Sequence, residues 1–295
     1  PPIMRREQRC CLVSWARPPG QSRSEPGEGI RFMLSSLGLR TRRYANVLVG
    51  ITGLLGLAIN TCPQLLKPQR RRIFWLLFKR QLYNSGLRAA SINTIIAVLL
   101  GVFVMSKAYS VIPNNMQFID YYAQFFNIVV NREIGPLISG IILIARSASA
   151  VTAEVGQMQL YRQFDALSAV NMSPALVFLL PVFFAFPLSL LLMFFYFNLI
   201  CVFTSYAVIE LYHEGGITLM AFIRALLEQL TFTEVLVSMT KALVGGCLIG
   251  LASLFFGYNV QDRFTDVSRA ISNSNTFQLF AFFVLNVGLS YLVYL

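Results

Sequence analysis

Long apolar stretches separated by short polar connections dominate the chain from residue 84 onward. Five of them are long enough to cross a bilayer as helices, which takes about 20 predominantly apolar residues. The third exceeds one straight crossing and contains Pro181 and Pro187, which are expected to kink it. The pattern predicts an all-α integral membrane protein. The predicted spans cover residues 87–110, 123–150, 175–207, 233–257 and 277–295.

The N-terminal part of the chain has a different pattern. Residues 1–32 are polar and rich in Pro, Gly and Ser, which predicts a disordered or non-native extension. Residues 33–83 contain two shorter apolar segments, at 44–60 and 73–83. Because Trp75 beside basic residues favours the membrane interface, we interpret 33–83 as one or two interfacial helices on the cytoplasmic side. The alternative is that 44–60 forms a sixth span.

Composition and charge support a membrane protein over a soluble one. Hydrophobic residues make up 56% of the chain and charged residues 13%, about half of the usual charged share. The formal net charge is +11, and most of the basic residues precede position 89. Such a basic flank is typical of the cytoplasmic side of membrane proteins, where it attracts anionic lipid. Nucleic-acid binding is disfavoured, because no basic groove with interleaved aromatic residues is found.

The loop charges predict the orientation of the chain. Connections 111–122 and 208–232 are poor in basic residues and are assigned to the outside. Connections 151–173 and 258–276 carry arginines and are assigned to the inside. With the N-terminus cytoplasmic, five crossings place the C-terminus outside.

Several kinds of chemistry find no support in the sequence. No Gly-Lys pair occurs, so the G-x-x-x-x-G-K-[ST] phosphate-binding loop is absent. The single histidine, His213, has no second His or Cys pair nearby, and no C-x-x-C motif occurs. We therefore predict no catalytic residue, metal site or cofactor in this chain.

Ionisable residues inside the apolar spans are the candidate functional positions, since a charge at mid-bilayer costs about 2.5–3.5 kcal/mol. Arg132 and Glu133 are adjacent in the second span and point about 100° apart on an α-helix, so they are expected to neutralise each other poorly. Lys241 in the fourth span lies at a similar depth and is expected to pair with Glu133. Either a structural ion pair or a polar-tolerant cavity between helices explains this group.

Small residues at helical spacing in two of the spans predict close packing between helices. Small residues at Gly246 and Gly250 permit close helix approach, within one subunit or across a dimer. Ala145, Ser149 and Ala153 do the same in the second span.

The connection between the second and third spans has helical periodicity. Leu160, Phe164 and Leu167 recur at helical spacing, with Arg162 and Asp165 elsewhere on the surface. Such an amphipathic helix either rests on the bilayer or docks a cytoplasmic motor.

A series of short motifs, taken in order, resembles the MlaE/YrbE-type permeases of ABC transporters that work with MCE-domain proteins. The resemblance runs from about Lys79 to the C-terminus. Its motifs are Arg80-Gln81-Leu82-Tyr83, Arg132-Glu133-Ile134-Gly135-Pro136, Arg146-Ser147-Ala148-Ser149-Ala150, Ala153-Glu154-Val155-Gly156 with Met158, Gln163 with Asp165-Ala166-Leu167, Ser173-Pro174, and Phe256-Gly257-Tyr258.

The resemblance implies an MlaE-type ABC permease fold with residues 84–295 as the transmembrane permease domain. It implies a permease homodimer, cytoplasmic ABC ATPase subunits, an external MCE-domain substrate-binding protein, and phospholipid cargo moved between membranes. The implied location is a bacterial inner membrane, with a plastid inner envelope also compatible. A coupling helix is implied at about 154–172. The implied coupling residues are Glu154, Gly156, Leu160, Arg162, Phe164, Asp165 and Leu167, and the implied cavity residues are Arg132, Glu133, Lys241 and Asn286.

The sequence departs from the family pattern at a few positions. Ala145 and Ala148 stand where relatives often have Gly, Arg162 replaces a residue that is often acidic, and Asn286 replaces a frequent Asp. Two other function classes lack support in the sequence. A secondary transporter would show inverted repeats, and a membrane-embedded lipid-modifying enzyme would need a convergent catalytic cluster; neither is found in the sequence.

Overall fold

The computed structural model describes residues 47–63, 68–111, 118–169, 173–212, 218–261 and 263–294, and the regular structure in these ranges is helical. Residues 1–32 and His213 lie outside the described residues, so the predictions made for them are not tested.

Within the described ranges, five helices are long and apolar enough to cross a membrane, which confirms the predicted all-α membrane fold. A shorter apolar helix, α1, precedes them at Val47–Thr61 and falls short of the about 20 residues that a straight crossing needs. The five candidate spans are Arg70–Val111, Phe118–Leu160, Ala175–Leu211, Phe232–Tyr258 and Phe264–Val293.

The first span belongs to a longer helix than the sequence predicts. Helix α2 (Pro68–Leu82) continues through a π-helical turn at Tyr83–Leu87 into α3 (Arg88–Val111). The polar Asn84-Ser85-Gly86 stretch does not end the helix, because the buried Ser85 hydroxyl donates to the Gln81 carbonyl at 2.8 Å and pairs with the Ser189 hydroxyl at 2.5 Å. Segment 73–83 is therefore continuous with the first span, and its place at the membrane interface remains a prediction.

The second span is one continuous helical path with two π-helical segments. Its α-helical parts are α4 (Phe118–Phe126), α5 (Gly135–Leu143) and α6 (Ser149–Leu160). The π segments at Asn127–Ile134 and Ile144–Ala148 carry the basic residues of this span, Arg132 and Arg146, and also Glu133. A π turn closes i→i+5 hydrogen bonds and so re-aims the side chains that follow it.

The prediction of a single helix over residues 154–172 is wrong. Helix α6 ends at Leu160, the chain turns at Tyr161 and Arg162, and α7 covers Gln163–Ala169. Arg162 adopts a left-handed conformation with φ of 53°, which breaks the helix and redirects the chain. Phe164 is thereby turned back onto Phe178 and Tyr258, at ring-centroid distances of 5.7 and 5.6 Å.

The remaining helices agree with the predicted spans except at the last one. A π turn at Ala175–Leu179 leads into α8 (Leu180–Tyr212), which contains Pro187 in its interior. Helices α9 (Leu219–Glu228) and α10 (Phe232–Tyr258) follow, the latter opened by a Thr231–Glu234 capping box. Helix α11 (Phe264–Tyr294) begins well before the predicted residue 277, and its polar residues Ser274 and Asn275 are partnered by Thr152 and Ser149 of α6.

Helices α8 and α10 form the centre of the packing. A Cβ atom at Gly246 would lie 2.5 Å from the Cα of Pro187, and one at Gly250 would lie 3.2 Å from the Phe186 side chain. Close approach at these glycines therefore joins α10 to α8 inside one subunit, which resolves the question that the sequence left open. In the apolar 18-residue stretch that identifies each span, 61% of the third span is buried but only 22% of the fifth, so this part of α11 lies at the periphery.

Candidate functional site

Glu133 is the centre of a polar network within the apolar spans. The π-helical segment Asn127–Ile134 presents its carboxylate toward α10 and α11. Glu133 Oε2 accepts from Lys241 Nζ at 3.2 Å, and both carboxylate oxygens accept from Ser290 Oγ at 2.8 Å. Glu133 Oε1 also accepts from Arg132 Nε at 3.0 Å. One carboxylate thus joins the second, fourth and fifth spans.

Lys241 is fully buried, and its ammonium group is fully hydrogen-bonded. Besides Glu133, Nζ donates to the Arg132 carbonyl at 2.9 Å and to Ser290 Oγ at 2.5 Å. An ammonium has three N–H donors, and three acceptors meet them here. The desolvation of the charge is therefore offset by an opposite charge and by complete hydrogen bonding.

The predicted contact between Glu133 and Lys241 is confirmed, but the prediction for Arg132 is wrong. Arg132 does reach the neighbouring Glu133 carboxylate. A π-helical turn holds more residues than an α-helical turn, so adjacent side chains diverge by a smaller angle, and the long arginine side chain covers the rest. Ser290 was missed by sequence analysis, although its position four residues after Asn286 could have suggested it.

The network has one buried edge and one accessible edge. The side chain of Lys241 is 0% exposed, whereas those of Arg132 and Glu133 are 22% and 39% exposed. Part of the Arg132 and Glu133 side chains is therefore accessible from outside the subunit, among apolar helix surface. Such an edge can hydrogen-bond a polar or charged group of a molecule that also has apolar parts.

Asn286 is placed beside this network but not joined to it. It is buried, and neither atom of its amide has a hydrogen-bond partner among the described residues. It lies one helical turn before Ser290 on α11. The structure thus puts Asn286 near the network without giving it a contact in it.

A second polar cluster, missed by sequence analysis, joins α6, α10 and α11. Gln278 Nε2 donates to Ser253 Oγ at 3.0 Å and to Ser274 Oγ at 2.7 Å, and Thr152 Oγ1 donates to the Ser253 carbonyl at 3.3 Å. All four residues are buried. Serine, threonine and glutamine inside spans commonly join helices in this way. The cluster explains why α11 extends through a polar stretch that resembles a loop in sequence.

The predicted coupling residues separate into different environments. Phe164 is buried and packs against Phe178 and Tyr258, so it anchors α7 to its own subunit. A Cβ at Gly156 would lie 3.1 Å from Val260, which gives this glycine a packing role. Leu160 and Leu167 are half-buried.

The remaining coupling residues lie on two different surfaces. Arg162 and Asp165 line a polar depression together with Gln159 and Gln261. Glu154 lines a separate cleft. The described residues contain no group of three His, Cys, Asp or Glu side chains arranged as metal ligands.

Comparison with known proteins agrees with this arrangement. The family model Permease MlaE matches residues 78–292. The intermembrane phospholipid transport system permease protein MlaE of Haemophilus influenzae is 29% identical over 113 residues, which are 37% of this chain and 41% of that protein. A probable ABC transporter permease protein of Rickettsia typhi is 25% identical over 145 residues, 49% of this chain and 55% of that protein.

The relatives match this chain over only part of their length, whereas the family model matches most of the chain. In each case this chain spans less than two thirds of the relative's length. The family model, in contrast, covers well over half of the chain, including all five candidate spans in whole or in large part. This chain is therefore a multi-pass membrane protein that belongs to the MlaE family of ABC transporter permeases.

Proposed function

We propose that this chain is the transmembrane permease subunit of an ATP-driven transporter that moves phospholipid between membranes. The observation that carries the proposal is the Glu133 network inside apolar spans, with Glu133 and Arg132 on its accessible edge. A phospholipid has a charged headgroup and apolar chains. The headgroup would meet Arg132 and Glu133, while the chains would lie along exposed apolar side chains of the same helices, such as Ile128 and Val287.

The energy for this transport is assigned to separate cytoplasmic ATPase subunits. The sequence contains no Gly-Lys pair and so no phosphate-binding loop of the ATPase type. Removing lipid from a bilayer costs about 0.8 kcal/mol for each CH₂ group exposed to water, so an external energy source is required. The depression lined by Arg162, Asp165 and Gln261 is the proposed docking surface, because it is polar and lies where α6 and α7 meet.

The proposed assembly has two further components. An MCE-domain protein on the outer side would receive or deliver the lipid, in keeping with the phospholipid transport named for the Haemophilus influenzae relative. A second copy of the permease would cover part of the exposed apolar surface of α3 and α11, which includes Phe103 and Phe283. The proposed location is a bacterial inner membrane, with the N-terminus cytoplasmic.

Reconstitution with the ATPase and MCE-domain proteins of the same source tests this function. Donor liposomes would contain the complete complex, and transfer of labelled phospholipid to acceptor liposomes would be measured with and without ATP. We expect ATP-dependent transfer that Glu133→Gln reduces at least tenfold, since a charged hydrogen-bond centre is lost. Glu228→Gln is the matched control, because Glu228 is an exposed acid on α9 paired only with Arg224 among the described residues. Transfer driven by an ion gradient without ATP would contradict the proposal.

A further inference from the structure

A cleft opens on the surface formed by α2, α6 and the π turn that precedes α8. It lies on the same side of the molecule as the turn at Tyr161 and Arg162 that ends α6. The Glu133 network lies in the earlier half of the second span, whereas Glu154 lies near the end of that span. The 21 residues between Glu133 and Glu154 correspond to about 31 Å of helix, roughly the thickness of the hydrocarbon core. The cleft is therefore a separate site.

Two opposite charges line the cleft without neutralising each other. Arg80 comes from α2 and Glu154 from α6. Neither takes part in the ion pairs found among the described residues, which join other groups. The amide side chains of Gln81 and Asn84 lie in the same lining. The cleft thus offers a guanidinium, a carboxylate and two amides to a ligand with both charges.

The rest of the lining is apolar. Val151, Val155, Pro181 and Val182 are buried, and Leu77, Val177 and Phe178 are half-buried. Trp75 is exposed one to two turns earlier on α2, with Lys79 stacked over its ring at 5.6 Å. Trp beside basic residues is typical of the boundary between headgroups and acyl chains. The cleft therefore combines a polar pair with an apolar wall at a level that lipid headgroups occupy.

Two π-helical turns line this cleft, and a third directly precedes one of its helices. The turn Tyr83–Leu87 contributes Asn84, the turn Ala175–Leu179 contributes Val177 and Phe178, and the turn Ile144–Ala148 directly precedes α6. Single π turns inside α-helices are frequent at functional sites, because they shift side chains out of regular α-helical packing. Their convergence here accounts for space between helices that elsewhere pack closely.

We propose that this cleft binds the zwitterionic headgroup of a phospholipid from the adjacent leaflet, with the phosphate at Arg80 and a primary ammonium at Glu154. Arg forms paired hydrogen bonds with phosphate oxygens, and the amides of Gln81 and Asn84 can add donors. A primary ammonium can donate hydrogen bonds to Glu154, whereas a quaternary choline cannot, and a purely anionic headgroup would be repelled by the carboxylate. The proposal does not depend on which molecule the transporter carries.

Lipid titration of the purified full-length complex in a neutral detergent tests this site. Native mass spectrometry would count bound phosphatidylethanolamine, phosphatidylcholine and phosphatidylglycerol with identical acyl chains. We expect phosphatidylethanolamine to bind most tightly. Glu154→Gln should weaken its binding about tenfold and remove its advantage over phosphatidylcholine, while Arg80→Gln should weaken both about tenfold. Arg72→Gln, an exposed arginine on α2 outside the cleft, is the matched control and should change neither.

Each remaining outcome would overturn the proposal. Equal binding of all three lipids, or no change in Glu154→Gln and Arg80→Gln, would show that the cleft is not a headgroup site. Free phosphoethanolamine that competes as strongly as the lipid would identify a soluble phosphoester as the ligand. Loss of a protein subunit from Glu154→Gln with lipid binding intact would identify the cleft as a protein contact. Because lipid transfer is not the readout, failure here leaves the proposed transport function untouched.

Discussion

Glu133 accepts hydrogen bonds from side chains of three spans, so its carboxylate carries more of the intramembrane structure than a simple pair would. Lys241 is the only one of its charged partners that is fully buried. Loss of the carboxylate leaves that ammonium with two neutral acceptors, Ser290 Oγ and the Arg132 carbonyl. Breaking a buried ion pair from one side costs about 3–5 kcal/mol, because the remaining charge stays desolvated.

A double-mutant cycle between Glu133 and Lys241 should show strong coupling. Glu133→Gln leaves the buried Lys241 ammonium without an opposite charge, and Lys241→Met leaves Glu133 with Arg132 as its remaining charged partner among the described residues. The double variant removes both charges of the Glu133–Lys241 pair. We expect the double variant to lose clearly less free energy of unfolding than the sum of the single variants. Denaturant unfolding in detergent measures this. Additive losses would mean that the observed 3.2 Å contact contributes nothing specific.

Exchanging the two charges should restore only part of the function. With Lys at 133 and Glu at 241, the pair has the right signs, but a carboxylate at 241 cannot donate to the Arg132 carbonyl that Lys241 now contacts. The double variant with Glu133→Gln and Lys241→Met is therefore the better control for stability than the variant with exchanged charges. Full recovery in the exchanged variant would show that the hydrogen bond to the Arg132 carbonyl is dispensable.

Arg162 is strained, and a glycine there should relieve the strain. Its φ of 53° costs an L-residue about 1–2 kcal/mol, and the greater freedom of glycine in the unfolded chain offsets about 0.5–1 kcal/mol of the gain. We expect Arg162→Gly to be more stable than Arg162→Ala by roughly 0.5–1 kcal/mol. Thermal unfolding in detergent measures the difference.

The two Arg162 variants also separate strain from binding. If the guanidinium contacts the ATPase as proposed, both variants lose ATPase binding to the same extent although only one gains stability. A glycine variant less stable than the alanine variant would contradict the strain argument.

At the scale of helices, the approach of α10 to α8 depends on a missing side chain. Gly246 lies against the backbone of Pro187, which cannot retreat as a flexible side chain could. Gly246→Ala should therefore force α8 and α10 apart and destabilise the protein by about 1–3 kcal/mol, as overpacking usually does. Gly288→Ala on α11 is the matched control, since nothing lies within 4 Å of the added methyl group. Equal thermal stability of the two variants would contradict this packing.

The sequence predicted the spans better than the ends of the helices. Apolar length alone identifies a span, because bilayer thickness sets it. The ends were misplaced where polar residues continue a helix with the help of other helices. Ser85 is partnered by Ser189, and Gln278 by Ser253, and no local pattern reveals such tertiary partners. The π turns were missed for the same reason, since their i→i+5 hydrogen bonds have no simple sequence signature.

The sequence identified the charged residues of the candidate site but not how they are arranged in space. Charges in apolar spans are costly, so Glu133 and Lys241 were identified by their cost alone. Their shared partner Ser290 is chemically ordinary, and only the packing of α11 brings it to them. The packing of Phe164 was likewise not predicted by the sequence. Its helical spacing indicated a partner-facing surface, whereas the left-handed turn at Arg162 makes it part of this subunit's own packing.

At the scale of the whole molecule, the distribution of charge should fix the orientation in the membrane. Five crossings put α2 and the end of α11 on opposite sides. The side of α2 also contains the connections after α6 and after α10. Basic residues on that side outnumber acidic ones, which favours a cytoplasmic position for it. They are Arg70, Arg71, Arg72, Lys79, Arg80, Arg162, Arg263 and Arg269.

Cysteine labelling in intact cells tests this orientation. In a cysteine-free background, single cysteines would replace exposed residues near each turn between spans, namely Ser110, Ser168, Met220 and Gln261. We expect a membrane-impermeant maleimide to label the Ser110 and Met220 positions in intact cells. The Ser168 and Gln261 positions should react only after permeabilisation, because α7 and the α10–α11 connection lie on the basic side. The reverse pattern would place the basic flank outside, and it would remove α7 and Gln261 from reach of any cytoplasmic ATPase. Labelling of Ser110 and Ser168 from the same side would mean that the second span does not cross.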